Sequence, residues 1–139
     1  MESTSLRLTS NFRIMVDSLK IEPTEDTPLI DFNTETGVFK ISGRALPEDA
    51  LEFFRPVEEW LNTYVEDPKE ATTVEMRVDY FNSASTRYIF NILMTFEDLV
   101  DAGKEAKIIW YYKADDDMIE SKGEELASIL ELPFEMKTL

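Results

Sequence analysis

The chain has 139 residues, of which 43% are hydrophobic, and its 29 acidic and 14 basic side chains give a formal net charge of −15. This length fits one domain with a core of its own. The absence of histidine and cysteine excludes disulfides, thiolate chemistry, histidine general bases and almost all zinc sites. The acidic balance disfavours nucleic acid and anionic lipid as partners and favours basic protein surfaces or cations.

The beginning of the chain is rich in serine and threonine and lacks hydrophobic periodicity. Residues 1–14 are therefore predicted to be a flexible tail, and residues 15–139 the folded domain. No apolar run approaches the roughly 20 residues that span a bilayer, and the start lacks the apolar centre of a signal peptide. We expect a cytoplasmic protein that does not enter the membrane.

The first strands are predicted at residues 19–21, 29–32 and 38–42, the first of them at an edge of the sheet. Residues 33–37 fit a hairpin loop with Gly37 at positive φ, and Gly43 and Arg44 are expected to end the third strand. A helix start follows at residues 47–49, where a proline precedes two acids. Pro56 interrupts the apolar stripe of this helix, which predicts a kink or a second helix start.

A second strand-and-helix pair is predicted at residues 73–81 and 83–101. In the strand, apolar and charged residues alternate, which places Val74, Met76, Val78 and Tyr80 on the inner face. In the helix, an apolar stripe faces the core and polar residues face solvent. The stripe consists of Ile89, Ile92, Leu93, Phe96, Leu99 and Val100.

The last part of the chain continues the alternation of strands and helices. Gly103 is expected to end the second helix, and residues 106–112 are expected to form a central strand. A third helix is predicted at residues 115–130, with a break or tight packing at Gly123, and a final edge strand at residues 133–136. The inner face of the third helix is predicted to carry Ile119, Leu126, Ile129 and Leu130. The order predicts an α/β domain with a mixed sheet and helices packed against it.

The candidate site is the cluster of hydroxyl residues between strand and helix at residues 82–87. The free N–H groups and positive dipole end of a helix N-terminus favour an anionic group, so a phosphorylated hydroxyl here would act as a switch. The simpler interpretation is that Asn82 or Ser83 is only an N-cap. Arg87 opposes the helix dipole, and it is placed either to reach a group carried by Ser83 or to pair with Asp79.

Other groups of residues are weaker candidates. Asp115, Asp116 and Asp117 could bind magnesium or calcium, but first-turn acids are typical of a helix start. Glu58 and Glu59 with Asp79 could supply a carboxylate pair, but adjacent acids on a helix usually face solvent. The aromatic run at residues 110–112 could be a stacking platform, although alternation puts Tyr111 opposite its neighbours and aromatic residues suit strands.

The chain resembles the SiaC family of bacterial regulatory phosphoproteins, which is related in fold to STAS-domain anti-sigma-factor antagonists. The resemblance covers about residues 19–136 and depends on motifs in a fixed order. These motifs are Ile21-Glu22-Pro23-Thr24, Thr27-Pro28, Gly43-Arg44, Pro47-Glu48, Phe53-Phe54-x-Pro56, Trp60-Leu61, Tyr80-Phe81-Asn82-Ser83-Ala84-Ser85, Trp110-Tyr111-Tyr112, Asp116-Asp117 and Leu132-Pro133-Phe134.

The resemblance implies a single STAS-like domain that switches partners and has no catalytic residues, cofactor or metal of its own. In such proteins a dedicated Ser/Thr kinase phosphorylates the hydroxyl directly after the asparagine, and a PP2C-type phosphatase removes the phosphate. The unphosphorylated form binds and activates a partner, a diguanylate cyclase in some systems, and so contributes to biofilm regulation. Mapped here, the acceptor is Ser83. The surrounding recognition surface is Asn82, Ala84, Ser85, Thr86 and Arg87.

This chain departs from the family pattern at one position. The family usually has threonine followed by serine, whereas this chain has Ser83 followed by Ala84. Serine still accepts phosphate. Two contrasting hypotheses stay open at this point: a STAS-like module that binds a small ligand or nucleotide, and a metal-dependent enzyme that uses residues 115–117.

Overall fold

The structure is a computed structural model that describes residues 17–139. This part of the chain has three strands followed by three helices that alternate with three further strands. They are β1 Leu19–Ile21, β2 Leu29–Asn33, β3 Val38–Ala45, α1 Ala50–Tyr64, β4 Ala71–Phe81, α2 Ser83–Asp101, β5 Glu105–Tyr112, α3 Asp117–Ile129 and β6 Phe134–Thr138. The predicted boundary between tail and domain, at residue 14, lies outside the described residues.

The strands form one mixed sheet in the order β1-β2-β3-β4-β5-β6. Strand β2 is antiparallel to both β1 and β3, whereas β3, β4, β5 and β6 run parallel to one another. Right-handed crossovers between such neighbours put all three helices on the same face of the sheet. The burial pattern of β4 agrees with helices on one face only, because Val74 and Met76 are inaccessible to solvent whereas Arg77 is exposed. The predicted α/β domain with edge strands at residues 19–21 and near the C-terminus is confirmed.

The core lies between the sheet and the helices. Phe96 of α2 is fully buried, and its ring centroid lies 6.0 Å from that of Phe39. Phe39 also stacks on Phe32 at 4.8 Å and contacts Tyr64 at 4.9 Å, so an aromatic cluster joins the antiparallel strands to α1 and α2. The predicted core residues Ile89, Leu93, Phe96, Ile108 and Trp110 are all buried.

A β-bulge changes the predicted phase of β4. Pairing with β3 is regular up to Val78, but the next pair joins Arg44 to Tyr80, so Asp79 is an extra residue in β4. The side-chain alternation therefore shifts by one position. Tyr80 is 43% exposed instead of facing the core as predicted, and Phe81 is buried in its place.

Part of the prediction is wrong for each of two helices. Helix α1 continues through Pro56 without a second start. Pro56 lies on the exposed face, where water can satisfy the carbonyl of Glu52 that has lost its N–H partner. Helix α3 begins at Asp117, and Ile129 in its last turn is 52% exposed instead of facing inward. None of the helices described is long and apolar enough to cross a membrane.

Gly37 takes the conformation that the sequence predicted, whereas Gly43 does not end a strand. Gly37 has φ +76°, and its N–H donates to the carbonyl of Asn33 at 2.9 Å, which closes the loop between β2 and β3. A Cβ at this position would lie 2.7 Å from the carbonyl oxygen of Ala71, so glycine is required for space as well. The third strand does not end at Gly43 as predicted but continues to Ala45.

Candidate functional site

The predicted switch region is the start of α2, directly after β4 at the carboxyl edge of the parallel strands. Asn82 is the N-cap, with extended backbone angles of φ −83° and ψ 172°. Its Oδ1 accepts a hydrogen bond from the N–H of Ser85 at 2.9 Å, and its carbonyl accepts one from the N–H of Thr86 at 3.1 Å. The N-cap role therefore belongs to Asn82, and Ser83 is the first residue of the helix.

The three hydroxyls of this first turn have different environments. Ser83 is exposed. Ser85 is inaccessible to solvent, and its Oγ has no hydrogen-bond partner among the described residues. Thr86 is half-buried, and its Oγ1 donates to the carbonyl of Asn82 at 3.2 Å. Of these three side chains, Ser83 is the one that an enzyme can reach while the helix remains folded.

The positive end of α2 has no carboxylate in its first turn to neutralise it. The first turn of α2 has no acid, in contrast to the first turns of α1 and α3. Within residues 17–139, no acceptor receives a hydrogen bond from the backbone N–H of Ser83 or Ala84. Arg87 is exposed and forms no ion pair with any described carboxylate, so the alternative pair with Asp79 is not formed. The arrangement favours an added anion at Ser83.

Ser83 also lies on the wall of an apolar groove of about 370 Å³, which we call the α2–α3 groove. Sequence reasoning found the α2 wall but missed the α3 wall, because the crossover that brings α3 beside α2 is a property of the tertiary structure. The local sequence carries one weak signal for the α3 wall, which is the apolar residue Ile129 near the end of that helix. The lining residues are Phe81, Ser83, Thr86, Arg87, Ile89, Phe90, Lys122, Glu125, Leu126 and Ile129.

Two of the three acidic residues at positions 115–117 stabilise the start of α3. Asp116 is the N-cap of α3, and its Oδ1 accepts a hydrogen bond from the N–H of Ile119 at 3.0 Å. Asp117 is in the first turn, where it complements the helix dipole. Across the described part of the chain, no group of three or more acidic side chains is arranged to hold a metal ion.

The other candidate residues lie on separate elements. Glu58 and Glu59 lie within α1, whereas Asp79 is the bulged residue of β4. Trp110 is buried, and its indole N–H donates to the carbonyl of Ile119 at 3.0 Å, so it does not offer a stacking face. Tyr111 is on the other face of the sheet, where the Arg77 guanidinium lies 4.7 Å from its ring centroid.

Two titratable groups with shifted pKa values lie outside the α2–α3 groove. A hydrogen bond from Lys104 and its positive charge lower the pKa of Glu70. Loss of solvent around the half-buried ring of Tyr112 raises its pKa, and the carboxylates of Glu120 and Glu124 add to this effect. Neither group contacts Ser83.

Comparison with known proteins gives a consistent result. The family model described as SiaC family regulatory phosphoprotein matches residues 21–139. An uncharacterized protein from Pseudomonas aeruginosa (strain UCBPP-PA14) is 24% identical over 119 residues, which are 86% of this chain and 94% of that protein.

Solved structures with the same fold include SiaC proteins from P. aeruginosa. Apo-SiaC superposes with a TM-score of 0.78 at 25% identity, covering 86% of this chain and 98% of that one. A chain from the crystal structure of the diguanylate cyclase SiaD in complex with its activator SiaC gives a TM-score of 0.82 at 24% identity, covering 87% and 99%. The chain described here belongs to the SiaC family of regulatory phosphoproteins.

Proposed function

We propose that this protein is a non-enzymatic binding protein that is controlled by reversible phosphorylation of Ser83. A Ser/Thr kinase adds the phosphate and a PP2C-type phosphatase removes it. The unphosphorylated protein binds and regulates a signalling partner, for which a diguanylate cyclase is the first candidate. The proposal depends on one observation: in a member of a phosphoprotein family, Ser83 is an exposed hydroxyl on a helix N-terminus that lacks carboxylates.

The folded protein is suited to carry a phosphate at this position. A phosphoserine adds about −1.5 to −2 charge at pH 7. The backbone N–H groups of Ser83 and Ala84 are available to it, and Arg87 lies one helical turn further on. Charge-assisted hydrogen bonds from these donors would compensate for the added charge. We therefore expect phosphorylation to leave stability nearly unchanged.

The same charge would act differently on a bound partner. A partner that packs on the start of α2 must bury the surface around Ser83, and a phosphate there would have to be desolvated or moved. The surface in question is formed by Asn82, Ala84, Thr86 and Arg87, whereas Ser85, which the family resemblance also included, is inaccessible to solvent and cannot contact a partner while the helix is folded. A SiaC protein of similar fold forms a complex with a diguanylate cyclase, which supports a cyclase as the partner class for this chain.

The experiment compares the wild type with Ser83→Ala and Ser83→Asp in the native cell. The intact mass of the purified protein is measured before and after phosphatase treatment, and binding to the cyclases of that cell is measured by pull-down. We expect a phosphatase-sensitive mass increase in the wild type that is lost in Ser83→Ala. Ser83→Ala should bind constitutively, and Ser83→Asp should bind more weakly.

The matched control is Ser121, an exposed serine of α3 that does not line the α2–α3 groove. Ser121→Ala and Ser121→Asp should bind as the wild type does. Equal binding by all Ser83 variants, together with an unmodified Ser83 under every growth condition, would contradict the proposal. Ser83 would then be an ordinary surface residue beside the Asn82 cap.

A further inference from the structure

We propose that Lys122 of α3 is a second cation, beside Arg87 of α2, that binds the phosphate on Ser83. Phosphorylation then links the two helices across the α2–α3 groove. The inference rests on the proposed function, and it adds a residue outside the switch region that receives the phosphate.

Helices α2 and α3 run in the same direction along the sheet. Each helix connects a strand to its parallel neighbour, α2 from β4 to β5 and α3 from β5 to β6. Both helices therefore begin at the carboxyl edge of the parallel strands. Arg87 lies four residues after the first residue of α2, and Lys122 lies five residues after the first residue of α3. Because a helix rises about 1.5 Å per residue, the two cations lie at similar depths below that edge.

Both cations line the α2–α3 groove together with Ser83. Ser83 and Arg87 are exposed on one wall, and Lys122 is half-buried on the other. A phosphate group has three strong acceptor oxygens, so it can receive hydrogen bonds from both cations at once. The flexible four-carbon stem of a lysine suits an approach from the opposite wall.

Neither cation has a strong partner in the unphosphorylated protein. Arg87 forms no ion pair with any carboxylate of residues 17–139. The Nζ of Lys122 lies 3.8 Å from the Oε1 of Glu125, and the two side chains are 42% and 63% exposed. An exposed pair of this length contributes little to stability. A phosphate with about −1.5 to −2 charge would therefore displace Glu125 from Lys122.

The charge around the groove favours this arrangement. The chain has a net charge of −15, so a further negative charge increases its self-repulsion. The charged residues that line the groove are Arg87, Lys122 and Glu125, so cations exceed acids there. At physiological ionic strength the screening length is about 8 Å, and nearby cations therefore act on the phosphate more strongly than distant acids do. Through Lys122, the phosphate on α2 would restrain the position of α3.

The test installs phosphoserine at position 83 of the full chain during translation, with a suppressor tRNA, and so needs no kinase. Phosphorus NMR measures the second pKa of the phosphate, which is about 6 for an unperturbed phosphoserine. Cations that donate hydrogen bonds to the dianion lower this pKa. We expect a value about 0.5 to 1 pH unit below 6 when all other residues are unchanged. Lys122→Gln should remove about half of this difference, and Lys122→Arg should preserve it.

Two further variants test the assignment. Glu125→Gln removes the carboxylate that competes for Lys122, so it should lower the pKa of the phosphate further. Lys113→Gln is the matched control, because Lys113 is an exposed lysine that does not line the groove, and it should leave this pKa unchanged. A phosphate that titrates near 6 would overturn the inference. So would a pKa that does not respond to Lys122→Gln or Glu125→Gln, or one that responds equally to Lys113→Gln.

The two proposals fail in different ways. If Ser83 is phosphorylated in the native cell but its phosphate titrates independently of Lys122, the link to α3 is rejected and the proposed function stands. If the installed phosphate responds to Lys122→Gln as expected but Ser83 is unmodified in the native cell under every growth condition, the link is supported and the proposed function is rejected.

Discussion

Gly123 of α3 lies directly against the indole of Trp110 in β5. A Cβ at position 123 would be 2.5 Å from Cδ1 and 2.6 Å from Nε1 of that ring. The ring itself is held by its hydrogen bond to the carbonyl of Ile119, at 3.0 Å. This close approach of helix to sheet fixes the position of α3. It therefore also fixes the position of one wall of the α2–α3 groove.

Gly123→Ala should destabilise the protein even though alanine is the better helix former by about 1 kcal/mol. The added methyl would push α3 away from Trp110, and overpacking of this kind costs about 1–3 kcal/mol. Urea unfolding measures the difference. Ser121→Ala, at an exposed position of the same helix, is the control and should be neutral or slightly stabilising. An increase in stability for Gly123→Ala would show that the packing is looser than described.

Phe96→Ala should lower the free energy of unfolding by about 3–5 kcal/mol, because it removes a fully buried ring from the centre of the core. Thermal and urea unfolding should both show the loss, and in a marginally stable domain it would leave the chain partly unfolded. Met94→Ala on the same helix is the matched control, since Met94 is 41% exposed. If the two substitutions had similar effects, the assigned orientation of α2 would be wrong.

Asn82→Ala should cost about 1 kcal/mol of stability, because it removes the side chain that accepts the N–H of Ser85. Ser83→Ala should change stability by less than about 0.5 kcal/mol, because Ser83 is exposed. Thermal melts of the two variants distinguish the residue that caps α2 from the residue that we propose to be modified. A larger loss in Ser83→Ala than in Asn82→Ala would assign the cap to Ser83.

Glu70 should titrate below its ordinary pKa of 4.5, because the Nζ of Lys104 donates to its Oε1 at 2.7 Å and adds a positive charge. A carboxyl whose pKa is lower in the folded state stabilises the protein above the unfolded pKa, and that contribution is lost as pH falls through the folded pKa. The loss therefore occurs below pH 4.5. NMR titration of Glu70 measures this directly.

The substitution Lys104→Gln tests whether Lys104 causes the lowered pKa of Glu70. It should return the titration of Glu70 to the range of an ordinary glutamate, while a lysine elsewhere, such as Lys113, should have no such effect when changed to glutamine. An unshifted Glu70 in the wild type would show that this exposed ion pair does not persist in solution.

Local sequence was sufficient for most of the fold. Apolar periodicity identified α2 with its observed limits, residues 83–101, because its buried stripe and its start after Asn82 are both local features. Gly37 marked a loop that needs positive φ. The hydroxyl cluster was visible for the same reason, since an N-cap, a first turn and the four-residue spacing of Ser83 and Arg87 are all encoded within one helical turn.

Non-local contacts decided the remaining features. The bulge at Asp79 depends on how β3 pairs with β4, and it exposes Tyr80 against the local alternation. Burial separates Ser83, which the family resemblance had already indicated, from the neighbouring hydroxyls, because Ser85 is buried and Thr86 is bonded to the Asn82 carbonyl. The α2–α3 groove exists because a crossover sets α3 beside α2, so that side chains of both helices line it. Sequence periodicity describes each helix separately, so the gap between two helices is a property of the tertiary structure alone.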